Sequence, residues 1–258
     1  MNKDKSVLIT GGTKGIGSRT AIEFSKNGYK VFINYRSDER RAQHFVQQLR
    51  KEYRNEVYAV KGDISIPDDC ESMAAEIRGN CDGIDILIHN AGPYVKERKT
   101  FDKYSPEEWN YIVNGNLNSV FYLTRLMIPN MREKKWGRII TFGYDRVETS
   151  PGWIYRSAFA AAKAGLASFT KSIAIEEAEN GITANMVCPG DIVGEWKENE
   201  IHYAQSSCDH STPVGRPGTG EDLARVIEFL CREESDFITG AVIPITGGKD
   251  VLGKIFHK

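Results

Sequence analysis

Between an apolar run and a helical pattern, the chain reads Thr10-Gly11-Gly12-Thr13-Lys14-Gly15-Ile16-Gly17. Glycine permits the sharp reversal such a junction requires. Bare backbone amides at the start of the following helix can approach a pyrophosphate, and the helix dipole favours negative charge there. A glycine cluster alone is equally compatible with an unliganded turn. Its position after a first strand and before a first helix is what points to phosphate chemistry. The residues that would take part are Gly11, Thr13, Lys14, Gly15, Ile16 and Gly17.

The elements that must hold this loop recur along the whole chain. Ser6–Thr10 is the first apolar run and residues 15–27 the first helical stretch. Val31–Tyr35, Val57–Val60, Asp85–Ile88, Arg138–Phe142, Thr183–Val187 and Ala241–Ile245 are further short apolar runs. Helical patterns fill 38–53, 68–78, 106–131, 157–179 and 221–232. The third of these opens on Ser105-Pro106-Glu107-Glu108, a capping serine, a proline at the first position and a glutamate reaching back. Strands alternating with helices predict an α/β fold: a Rossmann-type doubly wound parallel sheet of about seven strands with helices on both faces. No linker or repeat divides residues 1–258, so one domain is expected. The least regular stretch is 194–219, long enough to be a functional loop.

Bulk composition narrows the function classes. Of 258 residues, 40% are hydrophobic and 27% charged, which suits a full core. Lys+Arg number 34 against 35 Asp+Glu, a net charge of -1, without the basic excess of a nucleic-acid binder. The five cysteines match no metal-binding spacing, and free thiols in a reducing cytoplasm are expected. No apolar stretch approaches the ~18 residues of a spanning helix, and Met1–Lys5 does not open a signal peptide. The expected location is cytoplasmic, with no membrane contact, nucleic acid or metal.

The spacing of Gly11, Gly15 and Gly17 resembles that of the short-chain dehydrogenase/reductase family. Further motifs follow in the family's order: Gly62-Asp63-Ile64, Asn90-Ala91-Gly92, Asn116-Leu117, Ala162-Lys163-Ala164-Gly165, Cys188-Pro189-Gly190, Ile238-Thr239-Gly240 and Gly247-Gly248. The resemblance spans nearly the whole chain and is closest overall to 3-oxoacyl-acyl-carrier-protein reductases. It implies that Asp63 and Ile64 border an adenine, that Asn90 and Gly92 border the central ribose, and that Pro189, Gly190 and Ile192 approach a nicotinamide. A carboxylate at the end of the second strand selects NAD, whereas an arginine accommodates the 2′-phosphate of NADP. Here the family's acidic position is Tyr35, followed by Arg36, with Lys14 as a second cation nearby. The cofactor expected is NADP(H).

The family's catalytic pattern is incomplete. Lys163 matches the lysine that binds the ribose and lowers a tyrosine pKa, and Asn116 matches the asparagine of a proton relay. The tyrosine position, four residues before Lys163, holds Phe159, which has no proton to give. Gly143 and Tyr144 stand where the family has its serine pair. One reading is a rebuilt site that uses Tyr144 and Tyr155, similar to enoyl-acyl-carrier-protein reductases. Tyr155 lies eight positions before Lys163, about 12 Å along an ideal helix and about 80° around it. Those reductases have six residues between tyrosine and lysine, and this chain has seven. Another reading is a weakly active NADPH-binding protein. A deliberate single replacement at Phe159 would not also remove the serine. For each tyrosine, a packing role stands beside the catalytic one.

The leading expectation is an NADPH-dependent reductase of a carbonyl such as a 3-oxoacyl thioester. The resemblance implies that segment 194–219 covers the substrate. His202 and His210 within it are spaced too widely for a metal pair. Tyr94, Lys96, Arg98 and Lys99 form a cationic rim suited to an acidic acyl carrier protein. The family's assembly implies a homotetramer built on the helices around 106–131 and 157–179, where Ala158, Ala160, Ala161 and Ala162 allow close approach.

Overall fold

Every residue of β1 (Ser6–Ile9) is buried, because the strand lies inside a sheet covered on both faces. Residues 5–253 are described by this computed structural model. β2 (Lys30–Tyr35), β3 (Val57–Lys61), β4 (Ile86–His89), β5 (Gly137–Phe142), β6 (Ile182–Pro189) and β7 (Val242–Ile245) complete one seven-stranded sheet. All pairings are parallel, in the order β3-β2-β1-β4-β5-β6-β7. The order reverses between β1 and β4, and ligands of such sheets bind beyond the strand carboxyl ends at that switch point.

Successive strand residues point to opposite faces, so each strand feeds two cores. Val7 and Ile9 pack with residues of α1 (Gly15–Lys26), α2 (Glu39–Tyr53) and α8 (Gly220–Leu230), among them Phe24, Leu49 and Leu223. Leu8 and Leu87 face α3 (Pro67–Arg78), α5 (Ser119–Glu133) and α6 (Ser157–Glu176) through Met73, Leu123 and Ile173. Ser105 and Glu108 form the expected reciprocal cap on α4 (Pro106–Val113).

Several expected boundaries move. The helix expected from Pro106 to Met131 is interrupted by a π-helical turn at Asn114–Asn118. Gly115 lies so close to Pro93 that a Cβ would overlap the proline ring, and the widened turn aims Asn116 inward. The 157–179 helix ends at Glu176. Ala178–Asn180 tightens to a 3-10 turn, and Gly181, at φ +69°, releases the chain into β6. β6 extends to Pro189 because β7 pairs with it to that point. Segment 194–219 is less irregular than expected: Gly194–Lys197 forms a 3-10 turn and Ile201–Gln205 a short helix, α7. Its exit is fixed by the Arg216–Asp222 fork and by the Thr219 cap on α8. All five cysteines are unpaired. Among the described residues, no helix is long and apolar enough to cross a membrane.

Candidate active site

Gly11 and Gly15 adopt left-handed backbone at φ +61° and +60°, so the turn leaving β1 requires glycine there. Gly17 is needed for space: a Cβ would come within 2.5 Å of the Asn90 amide nitrogen and 2.6 Å of the Gly11 carbonyl oxygen. Asn90 Nδ2 donates to Thr10 O at 2.9 Å and Gly11 O at 3.2 Å, and Ala91 N donates to Thr10 Oγ1 at 3.0 Å. The loops after β1 and β4 are therefore bonded into one wall.

A cleft of about 660 Å³ opens along that wall. It is lined by Gly11, Thr13, Lys14, Gly15 and Ile16 from the first loop, by Arg36, Asp63 and Ile64 beyond β2 and β3, and by Asn90 and Gly92 beyond β4. Gly17 lies one layer beneath. Asn116, Tyr144, Tyr155, Lys163 and Pro189 do not line this cleft, nor do Gly190 and Ile192. Gly190 and Ile192 border a separate cavity of about 90 Å³ shared with Thr212 and Val214, and Ile192 packs in the core with residues of α8. At one end of the cleft, Arg36 pairs with Asp63 at 3.6 Å. Burial raises the Asp63 pKa, but hydrogen bonds from Ser65 and the Arg36 charge outweigh it and hold the carboxyl below its usual value. Tyr35, at the family's acidic position, is buried.

The corner where the family's pattern places catalysis is built by β4, the π turn and α6. Lys163 is 5% exposed, and burial pulls its ammonium down to about 8, only partly opposed by Cys188. No carboxylate pairs with it among the described residues. His89 is buried beside it. Its Nε2 shares a hydrogen with Thr124 Oγ1 at 3.0 Å, while Nδ1 has no partner among the described residues. Burial, then the Lys163 charge, hold its pKa at about 3, so the ring is neutral at ordinary pH. Asn116 Nδ2 donates to Pro93 O at 2.8 Å and Ile112 O at 3.0 Å. Its Oδ1 is buried without a partner among the described residues, and a Cβ on Gly92 would overlap it.

Phe159 sits in an aromatic box. Its ring centroid lies 5.3 Å from Tyr94, 6.0 Å from Trp153 and 6.4 Å from Tyr144, with Lys163 Nζ at 5.7 Å. Tyr144 is buried, and its hydroxyl donates to Pro151 O at 3.1 Å, a structural bond. Tyr155 precedes the first turn of α6 with left-handed backbone, φ 62°, so it lies outside the helix. Its carbonyl accepts from the Tyr104 hydroxyl and from Arg156. Gly143 cannot simply become serine. A Cβ there would come within 2.6 Å of Met186 Sδ and 2.7 Å of Cys188 Sγ.

Three further residues stand beside these groups. His89 ends β4 directly before Asn90, and no local sequence pattern distinguishes it from an ordinary strand residue. Arg41 donates to Thr13 O at 3.0 Å. Glu198 accepts from Gly15 N at 2.7 Å and Arg41 Nη2 at 3.2 Å. Arg41 and Glu198 are 157 positions apart, and no local pattern links them. The cationic rim is partly neutralised, since Lys99 pairs with Glu97 and Glu108. Lys96 and Arg98 remain exposed.

An all-parallel sheet with a glycine loop at its switch point defines a doubly wound α/β protein of the Rossmann type. The chain belongs to the short-chain dehydrogenase/reductase family. The family model described as enoyl-(acyl carrier protein) reductase matches residues 11–250. A Bacillus subtilis protein, YtkK, assigned by name provisionally to the oxidoreductases, is 48% identical over 97% of this chain and 98% of its own. The 3-oxoacyl-[acyl-carrier-protein] reductase FabG of Haemophilus influenzae is 34% identical, covering 95% and 97%. The acetoacetyl-CoA reductase of Shinella zoogloeoides is also 34% identical, covering 94% and 97%. A Bacillus thuringiensis structure, provisionally described as a 3-oxoacyl-reductase, superposes with a TM-score of 0.89 at 45% identity, over 96% of this chain and 99% of that one. The chain is thus an oxidoreductase of this family, similar to 3-oxoacyl-acyl-carrier-protein and acetoacetyl-CoA reductases.

Proposed function

We propose that this chain reduces the carbonyl of a 3-oxoacyl thioester with NADPH. The observation that carries the reading is the set of cations in the cleft: Lys14, Arg36 and Arg41 line it together with Asp38, Asp63 and Glu198, the Arg36–Asp63 and Arg41–Glu198 pairs are partly exposed and exchangeable, and β2 ends there in Tyr35 instead of a carboxylate. Such an end suits a 2′-phosphate. The rest of the site also fits a nicotinamide dinucleotide. Gly11 and Gly15 keep the loop bare, Gly92 leaves no room for a side chain beside Asn116, and a buried lysine without a carboxylate partner suits ribose hydroxyls.

When bound, the nicotinamide supplies the hydride. Lys163 holds the ribose and, with a pKa near 8, stays protonated at neutral pH yet close enough to its pKa to release a proton. Because Phe159 offers no hydroxyl, Lys163 is the proton source in this reading. Asn116 fixes the Pro93 loop against the π turn. Segment 194–219 closes the site, and residues 1–258 act as one domain. Lys96 and Arg98 receive an acidic acyl carrier protein. Exposed Trp109, Tyr111, Phe121 and Ile175 on α4, α5 and α6 support a homotetramer through those helices. The protein works in the cytoplasm.

NADPH absorbance with acetoacetyl and crotonyl thioesters, side by side, tests the reading. Oxidation with the first supports it. Oxidation with crotonyl thioester alone makes the chain an enoyl reductase, and loss of that turnover in Tyr144→Phe or Tyr155→Phe would assign the donor. NADPH binding without oxidation of either leaves a cofactor-binding protein, the outcome that the missing hydroxyl at Phe159 favours.

A further inference from the structure

Glu198 places a carboxylate where an anionic ligand would be expected. It follows the 3-10 turn Gly194–Lys197, at the start of the segment over the site. Its Oε1 accepts from the backbone amide of Gly15, the first residue of α1, and from the Arg41 guanidinium. An anionic oxygen shared by a helix-start amide and a guanidinium is the arrangement a phosphate oxygen adopts. Glu198 lines the same cleft as Lys14, Arg36 and Asp38, at the carboxyl end of β2.

The backbone around Glu198 is anchored independently of this contact. Glu200 pairs with Arg19, and Ile201 N donates to Glu221 at 2.6 Å. Glu198 and Arg41 are themselves about half exposed, so their ion pair is weak and a ligand can displace it. The carboxylate can swing away while its segment stays in place.

We propose that Glu198 and Arg41 form a selector for the adenosine ribose. The inference rests on the dinucleotide reading above. A 2′-phosphate takes Arg41 from Glu198 and leaves the carboxylate beside a second negative charge. A 2′-hydroxyl leaves the pair intact and donates to the carboxylate. Glu198 thereby lowers the preference for the phosphorylated cofactor that Lys14, Arg36 and Arg41 create. The acid missing from the end of β2 is supplied from the other half of the chain.

The test uses 2′,5′-ADP and 5′-AMP as probes, which differ only in the 2′-phosphate, titrated calorimetrically into the wild type, Glu198→Gln and Arg41→Gln, with a thermal melt of each variant to confirm folding. Glu198→Gln is expected to tighten 2′,5′-ADP about tenfold, because a like charge within hydrogen-bond range is removed, and to leave 5′-AMP unchanged or weaker. Arg41→Gln is expected to weaken 2′,5′-ADP about tenfold with little effect on 5′-AMP. An unchanged ratio of the two affinities in Glu198→Gln, or weaker 2′,5′-ADP binding, overturns the selector while the dinucleotide reading stands. Binding of neither probe by the wild type overturns both.

Discussion

Phe159→Tyr restores a hydroxyl at the position where the family carries its acid. The surroundings admit it: the Phe159 ring is only partly buried, and its three aromatic neighbours lie 5.3 to 6.4 Å away between centroids. Lys163 Nζ stands 5.7 Å from the ring centroid. A unit charge at about that distance, in a partly buried site, interacts with a phenolate by about 3 kcal/mol. That equals about two pKa units, which would bring the new tyrosine from its usual value near 10 to about 8. A positioned acid of that strength contributes about 100- to 10,000-fold. Because Gly143 has no hydroxyl and that of Tyr144 is committed to Pro151 O, nothing at the serine pair's positions polarises the carbonyl and the lower end applies. The expected outcome is a rise of about 100-fold in kcat/KM for acetoacetyl thioester, or about 2.7 kcal/mol off the barrier. Reduction should then fall off above about pH 8, where the new hydroxyl loses its proton. The assay is NADPH oxidation from pH 6 to 9, with NADPH affinity measured separately by fluorescence. Unchanged or lower turnover at retained NADPH affinity would refute the reasoning, because the corner would then not be where the carbonyl reacts.

Other perturbations separate the roles of neighbouring groups. The folded pKa of Lys163 lies below the usual lysine value, so between about pH 8 and 10.5 the unfolded chain holds the extra proton and stability rises with pH. Lys163→Met therefore raises the melting midpoint of the cofactor-free protein at pH 7 by several degrees. The gain should shrink toward pH 10, while turnover falls by at least about 100-fold. Gly143→Ser meets Met186 and Cys188 and should cost about 1–3 kcal/mol in urea unfolding, so adding the serine alone does not recover activity. Asn116→Ala loses the donor to Pro93 O and Ile112 O and should cost about 1–3 kcal/mol, with weakened NADPH binding in the same preparation. Light scattering should give a mass well above the 29.0 kDa of one chain, and Phe121→Glu with Ile175→Glu should reduce it to a monomer. A monomeric wild type at micromolar concentration would remove the tetramer.

The alternation of apolar runs and helical patterns carried the architecture, because parallel strands buried on both faces must be largely apolar, and the runs around Leu8, Phe32 and Leu87 are, with Ser6, Asn34 and Asp85 as buried polar exceptions held by hydrogen bonds. The glycine loop was equally legible, since its requirements are local: left-handed backbone at Gly11 and Gly15, and close packing at Gly17. So were the capping box at Ser105 and the absence of a hydroxyl at Phe159. Helix continuity was not. The π turn at Asn114–Asn118 exists because Gly115 and Asn116 must fit against Pro93, more than twenty positions away, and nothing within the helix announces it.

The sequence by itself determined the class of fold, the loop that suits a phosphate, and the loss of the family's usual acid. These follow from backbone geometry and side-chain chemistry that each residue carries wherever it lies. Only the tertiary structure decided the state of the groups in the site. It buries Lys163 and so lowers its pKa, and it commits the Tyr144 hydroxyl to Pro151 O. It moves Ile192 away from the cleft and brings the Glu198 carboxylate to Gly15 and Arg41. Each of these depends on distance and burial between segments remote in the chain, which residue type and local spacing do not encode.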